Sequence, residues 1–281
     1  MLNKLFILLF FIVTFQPCLL AQEEKKDTIP ETKKEKEQSK RLYNISQFTR
    51  ESYLFLKQPA TWNSFDWLKI GIIAATTISV MPFDERITNS NNAHRQYYQN
   101  PFVVGGRIYG EWYSIGAVAA SFGLYGLITH NNGAKKITLE LLQAGLYSES
   151  VTAVLKVIIG KSRPAGQNAF NFKPFSIFDY SFQSMPSGHT TSAMALSTVM
   201  SRHAKTVAFK ILAYVPAGLT MFSRIYQDKH WLSDVIPAAA IGYFTGNWVV
   251  DLHEGKRHRI NVTSFYPPSF NISLNMEPKQ R

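Results

Sequence analysis

From Trp67 onward, long apolar stretches alternate with shorter polar segments along the chain. The length of these stretches, and their richness in Ala, Gly, Leu, Ile and Val, are typical of helices rather than strands. The stretches cover Trp67–Phe83, Trp112–Thr129, Ile137–Ile159, Gly188–Ser201, Ala208–Phe222 and Trp231–Leu252. The pattern therefore predicts an all-α fold, a helical bundle of about six core helices.

The predicted helices are borderline in length for crossing a membrane, because a span needs about 20 predominantly apolar residues. The third stretch also carries Glu140, Glu149 and Lys156. Membrane helices usually turn such polar groups toward the interior of the bundle. We therefore expect a membrane-embedded bundle; the alternative is a water-soluble helical bundle tethered near a membrane.

The N-terminal region has the pattern of an export signal followed by a linker. Within residues 1–21, Lys4 is the only charged residue, an apolar run follows it, and Ala21 supplies a small residue at the end. We expect a signal peptide here, with an uncleaved anchor helix as the alternative. Residues 22–62 begin with alternating lysine and glutamate, which bury too little apolar surface to offset the entropy of ordering, so we expect a charged flexible tether. The helical domain is then expected at 63–255.

Two other segments are more polar than the apolar stretches. Asp84–Gly110 is expected to be a loop with a short amphipathic helix. In the tail, residues 256–281, apolar and polar residues alternate in Ile260–Thr263 and in Phe270–Met276, with two prolines between them. This alternation predicts a small β-hairpin.

The chain is basic, with a formal net charge of +11. This excess is consistent with solubility alone, or with attraction to anionic lipid headgroups or a phosphorylated substrate. Nucleic acid is not expected as a partner, because the charge is spread along the chain and an export signal precedes it. The one cysteine, Cys18, lies in the expected signal, so the mature chain has no disulfide.

Lys156, Arg163 and Pro164 form the first candidate motif. Lys156 and Arg163 are seven residues apart, which predicts that both lie on one face at a helix end. Pro164 biases Arg163 away from helical geometry and ends the helix. A guanidinium placed there can bind two phosphate oxygens, with the lysine as a point charge beside it.

Pro186-Ser187-Gly188-His189 opens the next predicted helix and forms the second motif. Ser187 is a suitable N-cap, and Gly188 lets the backbone approach a ligand closely. The free N–H groups of a first helical turn attract anions, and the Ser187 hydroxyl can add a donor. His189 would lie in that first turn and face the same anion.

The third motif combines Ser223, Arg224, His230 and Asp234. His230 and Asp234 are four residues apart, so we expect them to share a face at the start of the last helix. A carboxylate near one ring nitrogen fixes the tautomer and leaves the other nitrogen free to attack. Arg224 supplies a third cation, with Ser223 near enough to form a hydrogen bond.

In an alternating bundle, the three motifs fall at helix ends that all lie on one side. The opposite side would then carry the basic loop residues Lys135, Lys136, Arg202, Lys205, Lys210, Lys256, Arg257 and Arg259. Positive loops favour the cytoplasm, so the site is expected to face the periplasm from a bacterial envelope membrane. A cleaved signal followed by six full spans would place the site in the cytoplasm instead. Retention of the signal, a first stretch that does not span, or a fully exported bundle would each remove this conflict.

The order and spacing of the three motifs resemble those of the type 2 phosphatidic acid phosphatase superfamily, which includes the vanadium-dependent haloperoxidases. The resemblance covers residues 65–252, and all three motifs are intact. It implies a phosphatase in which His230 is the nucleophile and forms a phosphohistidine, with Asp234 orienting it. His189 would protonate the leaving oxygen and then activate water. The resemblance also places Lys156, Arg163, Ser187, Gly188 and Arg224 around the phosphate oxygens.

Neither a cofactor nor a metal is expected, because no other Asp/Glu/His cluster with ligand spacing occurs in the sequence. Two alternatives remain open at this point. Bound vanadate in the same cage would give a haloperoxidase, and a relic site would leave a non-enzymatic lipid-binding membrane protein.

The connection between the first two motifs, residues 165–185, contains six aromatic residues: Phe170, Phe172, Phe175, Phe178, Tyr180 and Phe182. We expect this loop to lie at the membrane interface and to cover a lipid phosphate substrate. Alternatively, these side chains simply pack onto the bundle. By resemblance, the candidate substrates include undecaprenyl diphosphate, phosphatidic acid, phosphatidylglycerol phosphate and a phosphate of lipid A.

Overall fold

The computed structural model describes residues 45–92, 95–165 and 168–255. Within these ranges the chain forms ten α-helices: α1 Ile45–Thr61, α2 Ser64–Val80, α3 Asp84–Asn92, α4 Pro101–Tyr109, α5 Trp112–Ile128, α6 Asn132–Ile159, α7 Gly188–His203, α8 Val207–Leu212, α9 Val215–Tyr226 and α10 Leu232–His253. Single 3₁₀ turns occur at Met81–Phe83, Arg95–Tyr97 and Tyr180–Phe182. The β-pairing in the described part of the chain is one isolated bridge between Lys161 and Phe172. The predicted all-α fold is confirmed.

The predicted apolar stretches correspond to helices, but the fifth stretch is divided into α8 and α9. Pro216 lies in the first turn of α9. It has no N–H with which to bond the carbonyl of Leu212, so the helix cannot continue through it. The polar segment Asp84–Gly110 also differs from the prediction, because it contains two helices, α3 and α4, instead of one.

The expected tether is too long, because its last part is the helix α1. Phe48, Leu54 and Phe55 lie on one side of this helix and pack against the core. The Phe55 ring stacks on Tyr147 at 4.5 Å between centroids. Packing of this apolar face on the core stabilises the helix, although the residues before it in the sequence are mostly charged. The remaining tether residues, the expected signal and the expected terminal hairpin lie outside the described residues.

Helix α7 is the centre of the bundle, and its residues 190–193 and 195–201 are all buried. Small residues allow α10 to approach it closely. A Cβ atom on Gly242 would lie 2.4 Å from the Thr191 carbonyl oxygen, and one on Gly246 would lie 2.9 Å from Thr198 Cβ. Close backbone approach at small residues is typical of helix packing in membranes.

The outer surface of the bundle is apolar over a large area. Ser64–Ser90 and Asn132–Ile159 are long and apolar enough to cross a membrane, and α5 is a shorter apolar helix. Exposed large side chains on α2 and α5 include Phe65, Trp67, Leu68, Ile72, Ile78, Trp112, Leu124, Leu127 and Ile128. Water-soluble proteins rarely expose so much contiguous apolar surface, so the exterior favours the membrane-embedded bundle over the soluble one.

A buried group of charged side chains joins α1 to the bundle at the ends of α7 and α10. Glu51 of α1 accepts a hydrogen bond from Gln143 Nε2 at 2.9 Å and lies 3.3 Å from His253 Nε2. On its other side, His253 Nδ1 is 3.4 Å from Glu140, which also pairs with His203. Each buried carboxylate therefore faces a histidine, which offsets the cost of removing its charge from water.

Enlarging Gly242 should destabilise the fold, because the new methyl group would meet the α7 backbone, which cannot move independently of the helix. We expect Gly242→Ala to cost about 1–3 kcal/mol. Gly218→Ala is the matched control, since no atom lies within 4 Å of its added Cβ and alanine is the better helix former. Unfolding midpoints in detergent measure both. Equal midpoints for the two variants would contradict the close α7–α10 packing.

Candidate active site

The three motifs meet at one end of the bundle, where α6 and α9 end and α7 and α10 begin. The Ser187 N–H donates to the Asp234 carbonyl oxygen at 3.1 Å, which joins the start of α7 to the start of α10. The Arg224 carbonyl oxygen accepts from the N–H groups of Lys229 and His230 at 3.1 and 3.3 Å. Backbone hydrogen bonds thus fix the second and third motifs relative to each other.

In the first motif, Lys156 and Arg163 converge from different segments. The predicted shared helix face is wrong, because α6 ends at Ile159 and Gly160 turns the chain with a φ of 60°. A Cβ at Gly160 would lie 1.9 Å from the Lys173 carbonyl oxygen, so glycine is required there. Lys156 Nζ and Arg163 Nη2 nevertheless donate to the same oxygen, the Gln183 carbonyl, at 2.8 and 3.1 Å.

Further contacts hold the Arg163 guanidinium in place next to the third motif. Its Nη1 donates to the Lys229 carbonyl oxygen at 3.1 Å, one residue before His230. Its Cζ also lies 4.0 Å from the centroid of the Tyr180 ring, which gives a cation–π contact. The planar group is therefore oriented before any anion binds.

In the second motif, Ser187 occupies the N-cap position of α7 but makes no side-chain cap. Its buried hydroxyl instead accepts a hydrogen bond from Thr190 Oγ1 at 3.1 Å. Gly188 lies beside the Glu149 carboxylate, which a Cβ would approach at 3.4 Å. His189 is partly exposed in the first turn, and its Nε2 lies 3.2 Å from Glu111 Oε1.

In the third motif, Arg224 is buried and its Nη2 donates to Ser223 Oγ at 3.3 Å and to Gln227 Oε1. The Ser223 hydroxyl in turn donates to the Val103 carbonyl oxygen at 2.7 Å. Arg224 Nε is buried without a hydrogen bond to the described residues. A buried donor without a partner costs free energy, which a bound anion would recover.

His230 and Asp234 are in contact, but not through the face of a helix. Helix α10 begins at Leu232, so His230 precedes it. Asp234 Oδ2 accepts the Trp231 N–H at 2.9 Å, and the same oxygen lies 3.4 Å from His230 Nδ1. Nε2 is then the His230 ring nitrogen without a hydrogen bond to any residue that the structure describes. Burial lowers the pKa of the His230 imidazole to about 3, so the ring is neutral at physiological pH.

A second charge network lies behind Asp234, and no sequence pattern predicts it. Buried Lys161 Nζ lies 3.4 Å from Asp234 Oδ1 and donates to Asp84 Oδ2 at 2.7 Å and to Ser233 Oγ at 2.5 Å. Asp84 Oδ1 accepts the Ser233 N–H at 2.9 Å. Lys161 lies between Lys156 and Arg163, but neither its spacing nor its type predicts burial, and Asp84 begins a segment predicted as a loop with a short amphipathic helix.

An apolar groove of about 660 Å³ runs along the bundle beside the site. Its walls come from α1, α2, α6 and α10, and its lining includes Trp62, Ile70, Leu155, Phe244 and Trp248. Met185 and Pro186, which directly precede the second motif, also line it. The groove therefore connects the edge of the site to the apolar side of the bundle.

Lys156, Arg163 and Arg224 bring three cations to the end of the bundle where the uncharged His230 imidazole is oriented. Such fixed charges stabilise an anion that gains charge during reaction, and the neutral Nε2 can attack it. The partly exposed His189 supplies a second imidazole for proton transfer.

Comparison with known proteins agrees with this chemistry. A family model described as the PAP2 superfamily matches residues 138–257. The chain is 32% identical over 102 residues to the lipid A 1-phosphatase of Porphyromonas gingivalis, covering 34% of this chain and 20% of that protein. It is 32% identical over 73 residues to the lipid A 4'-phosphatase of the same organism, covering 26% of this chain and 31% of that protein. The match thus spans less than a third of either relative.

Among solved structures, the transmembrane PAP2-type phosphatidylglycerolphosphate phosphatase from Bacillus subtilis matches with a TM-score of 0.52 and 24% identity. The match covers 69% of this chain and 96% of that chain. At this level of identity the likeness supports the helical fold.

Removing the buried cation Lys161 should strongly destabilise the site. Lys161→Met would leave Asp84 and Asp234 buried without their counter-charge, which costs about 3–5 kcal/mol when one partner of a buried pair is lost. Lys173→Met is the matched control, because Lys173 is exposed and pairs with exposed Asp179 at 3.5 Å; such exposed pairs contribute little to stability. Unfolding midpoints of the two variants in detergent test this difference, and similar small losses would contradict it.

Proposed function

We propose that the protein is a metal-independent phosphatase that hydrolyses a lipid phosphomonoester or diphosphate through a phosphohistidine intermediate; the match of residues 138–257 to the PAP2 superfamily model supports this proposal. The observation that carries this proposal is the neutral His230, oriented by buried Asp234, with Lys156, Arg163 and Arg224 held at the same end of the bundle.

The reaction proceeds in two displacements at phosphorus. Nε2 of His230 attacks, the P–N bond forms, and the P–O bond to the lipid breaks while His189 gives a proton to the departing oxygen. Water then attacks the phosphohistidine and gives its proton to His189, the P–N bond breaks, and inorganic phosphate leaves. Each histidine returns to its starting protonation state.

The cations stabilise the phosphoryl oxygens throughout both displacements. Arg163 and Arg224 are already held by protein oxygens, so little reorganisation is needed when charge develops. The backbone of Gly188 and the Ser187 hydroxyl border the same region. Asp234 keeps the Nδ1 side of His230 oriented and stabilises the positive charge that the ring acquires on attack.

A lipid is the favoured substrate class for two structural reasons. The apolar groove reaches the edge of the site at Met185 and Pro186, and it offers a place for acyl chains beside the phosphate. The aromatic side chains of the loop between the first two motifs, residues 165–185, are also largely exposed, with Phe178 fully exposed and Phe175 72% exposed. This exposure fits insertion into a membrane interface better than packing onto the bundle. The names of the two relatives favour a phosphate of lipid A among the lipid candidates.

The apolar exterior of the bundle supports a membrane location, and we propose that the site faces the periplasm. At the opposite end of the bundle lie Lys135, Lys136, Arg202, Lys205 and Lys210, a distribution that favours a cytoplasmic location for that end.

Phosphate release from a panel of lipid phosphates, measured with chelator present, tests the proposed reaction. The wild type should release phosphate, vanadate should inhibit it, and His230→Ala should lower the rate by about 10⁴-fold or more, because the nucleophile is lost. His130→Ala, which removes an exposed histidine at a distant helix end, should leave the rate unchanged. A wild type no faster than His230→Ala would reject the phosphatase, and vanadium-dependent bromide oxidation would identify a haloperoxidase instead.

Substitutions in the loop of residues 165–185 test the proposal that the substrate is a lipid. Replacing Ile177 and Phe178 by serine should raise KM for a long-chain lipid phosphate about tenfold, because about 1.4 kcal/mol of apolar contact with the bilayer is lost. KM for a short-chain soluble ester should not change. Phe65→Ser, at an exposed position on α2, is the control for loss of an exposed aromatic side chain. Equal changes in KM for both substrates would contradict an interfacial role.

A further inference from the structure

A second histidine–carboxylate pair lies at the site, and it differs from the first in its exposure. Glu111 Oε1 is 3.2 Å from His189 Nε2, and the two side chains are 27% and 30% exposed, whereas His230 and Asp234 are buried. We propose that Glu111 is a positioning residue that orients His189 through its Nε2–H and favours the charged form of the ring, with Nδ1–H as the proton delivered to the leaving oxygen. This inference rests on the proposed phosphatase function.

The backbone around Glu111 is fixed against the helix that carries His189. Gly110 precedes Glu111, and a Cβ there would lie 2.7 Å from the His189 carbonyl oxygen and 2.5 Å from Thr220 Cγ2. Only glycine permits this close approach. On the other side of Glu111, the Ser114 N–H donates to the Glu111 carbonyl oxygen at 2.9 Å and begins α5. The carboxylate is therefore held at His189 by packed backbone on both sides.

The adjoining helix α4 packs tightly on α9, and this packing fixes the backbone next to Glu111. A Cβ at Gly106 would lie 2.3 Å from the Leu219 carbonyl oxygen, so α4 rests directly on the backbone of α9. The hydroxyl of Thr220 donates to the Gly106 carbonyl oxygen at 2.6 Å, and that of Ser114 donates to the Ile108 carbonyl oxygen at 2.5 Å. Since α9 also carries Arg224, the packing of α4 on α9 fixes the position of Glu111 relative to the third motif.

The charges around His189 show why a carboxylate is needed. Burial, Arg224 of α9 and Lys156 of α6 together hold the pKa of the His189 imidazole below its usual value, and Glu111 opposes them. Arg107 of α4 adds to the positive field around Arg224. Glu149 of α6 lies near Gly188 but accepts a hydrogen bond from Ser192 Oγ at 2.6 Å. Glu111 is thus the carboxylate paired with His189.

The contact also fixes which nitrogen does the chemistry. With Glu111 accepting from Nε2–H, the proton that moves to the leaving oxygen as the P–O bond breaks is the one on Nδ1. The neutral ring that remains keeps its Nε2–H, and its free Nδ1 takes the proton of the attacking water in the second displacement. One carboxylate therefore serves both half-reactions by holding a single tautomer.

The dependence of kcat on the leaving group distinguishes a role of Glu111 in proton transfer from a purely structural role. An alkyl phosphate needs protonation of its leaving oxygen, whereas p-nitrophenyl phosphate has a much better leaving group. We expect Glu111→Gln to lower kcat for a soluble short-chain alkyl phosphate about 100-fold, within the range of general acid catalysis, and kcat for p-nitrophenyl phosphate only a few fold. Glu111→Asp should restore part of the alkyl phosphate rate. Glu254→Gln, at the opposite end of the bundle, is the matched control and should change neither rate.

The pH profile provides a second readout. Loss of the carboxylate lowers the pKa of the His189 imidazole, so the alkaline limb of kcat/KM should move to lower pH by about one unit in Glu111→Gln. Equal losses for both substrates with an unchanged alkaline limb would overturn the inference while leaving the phosphatase proposal intact.

Titration of the His189 imidazole, followed by NMR of the full chain in detergent micelles, does not depend on activity. The pKa of His189 should be lower in Glu111→Gln than in the wild type and in Glu254→Gln. An unchanged pKa would overturn the inference for any outcome of the activity assays. A wild type that hydrolyses neither ester would reject the proposed function separately.

Discussion

The burial of a negative charge at Asp234 is the constraint on which the site depends. A carboxylate withdrawn from water costs several kcal/mol unless cations and hydrogen-bond donors surround it. Here the compensation comes from Lys161, from the Ser184 hydroxyl at 2.5 Å and from the Trp231 N–H. Because Asp84 in turn holds Lys161, these contacts require the start of α3, the connection after α6 and the start of α10 to meet at one point.

The two histidines of the site differ in their exposure and in the carboxylate that each one faces. His230 is buried and therefore neutral, which suits a nucleophile. His189 is partly open and faces a partly open carboxylate, which suits a proton donor. Separating two like groups by environment is a general means of assigning acid and nucleophile roles at a single pH.

The sequence predicted the helices and the convergence of the motifs, because apolar stretches and helix ends are local features. It could not predict Glu111 beside His189 or Asp84 beside Lys161, since these contacts depend on how distant helices pack. Its two local errors at the site have local causes. Gly160 adopts a left-handed conformation that moves Arg163 off the helix, and Asp234 caps α10, which leaves His230 outside it.

The buried pair of Glu51 and His253 has a consequence for the order of assembly. Helix α1 is synthesised before every other described helix, yet its charged partner belongs to the last turn of α10. The aromatic partners of Phe55 are Tyr147 and Trp248, which also come later in the chain. Helix α1 can contact Gln143 and Tyr147 once α6 has been made, but its docking is complete only when α10 has packed beside it. The first of the described helices therefore reaches its final packing only with the last of them, which links the two ends of the described chain.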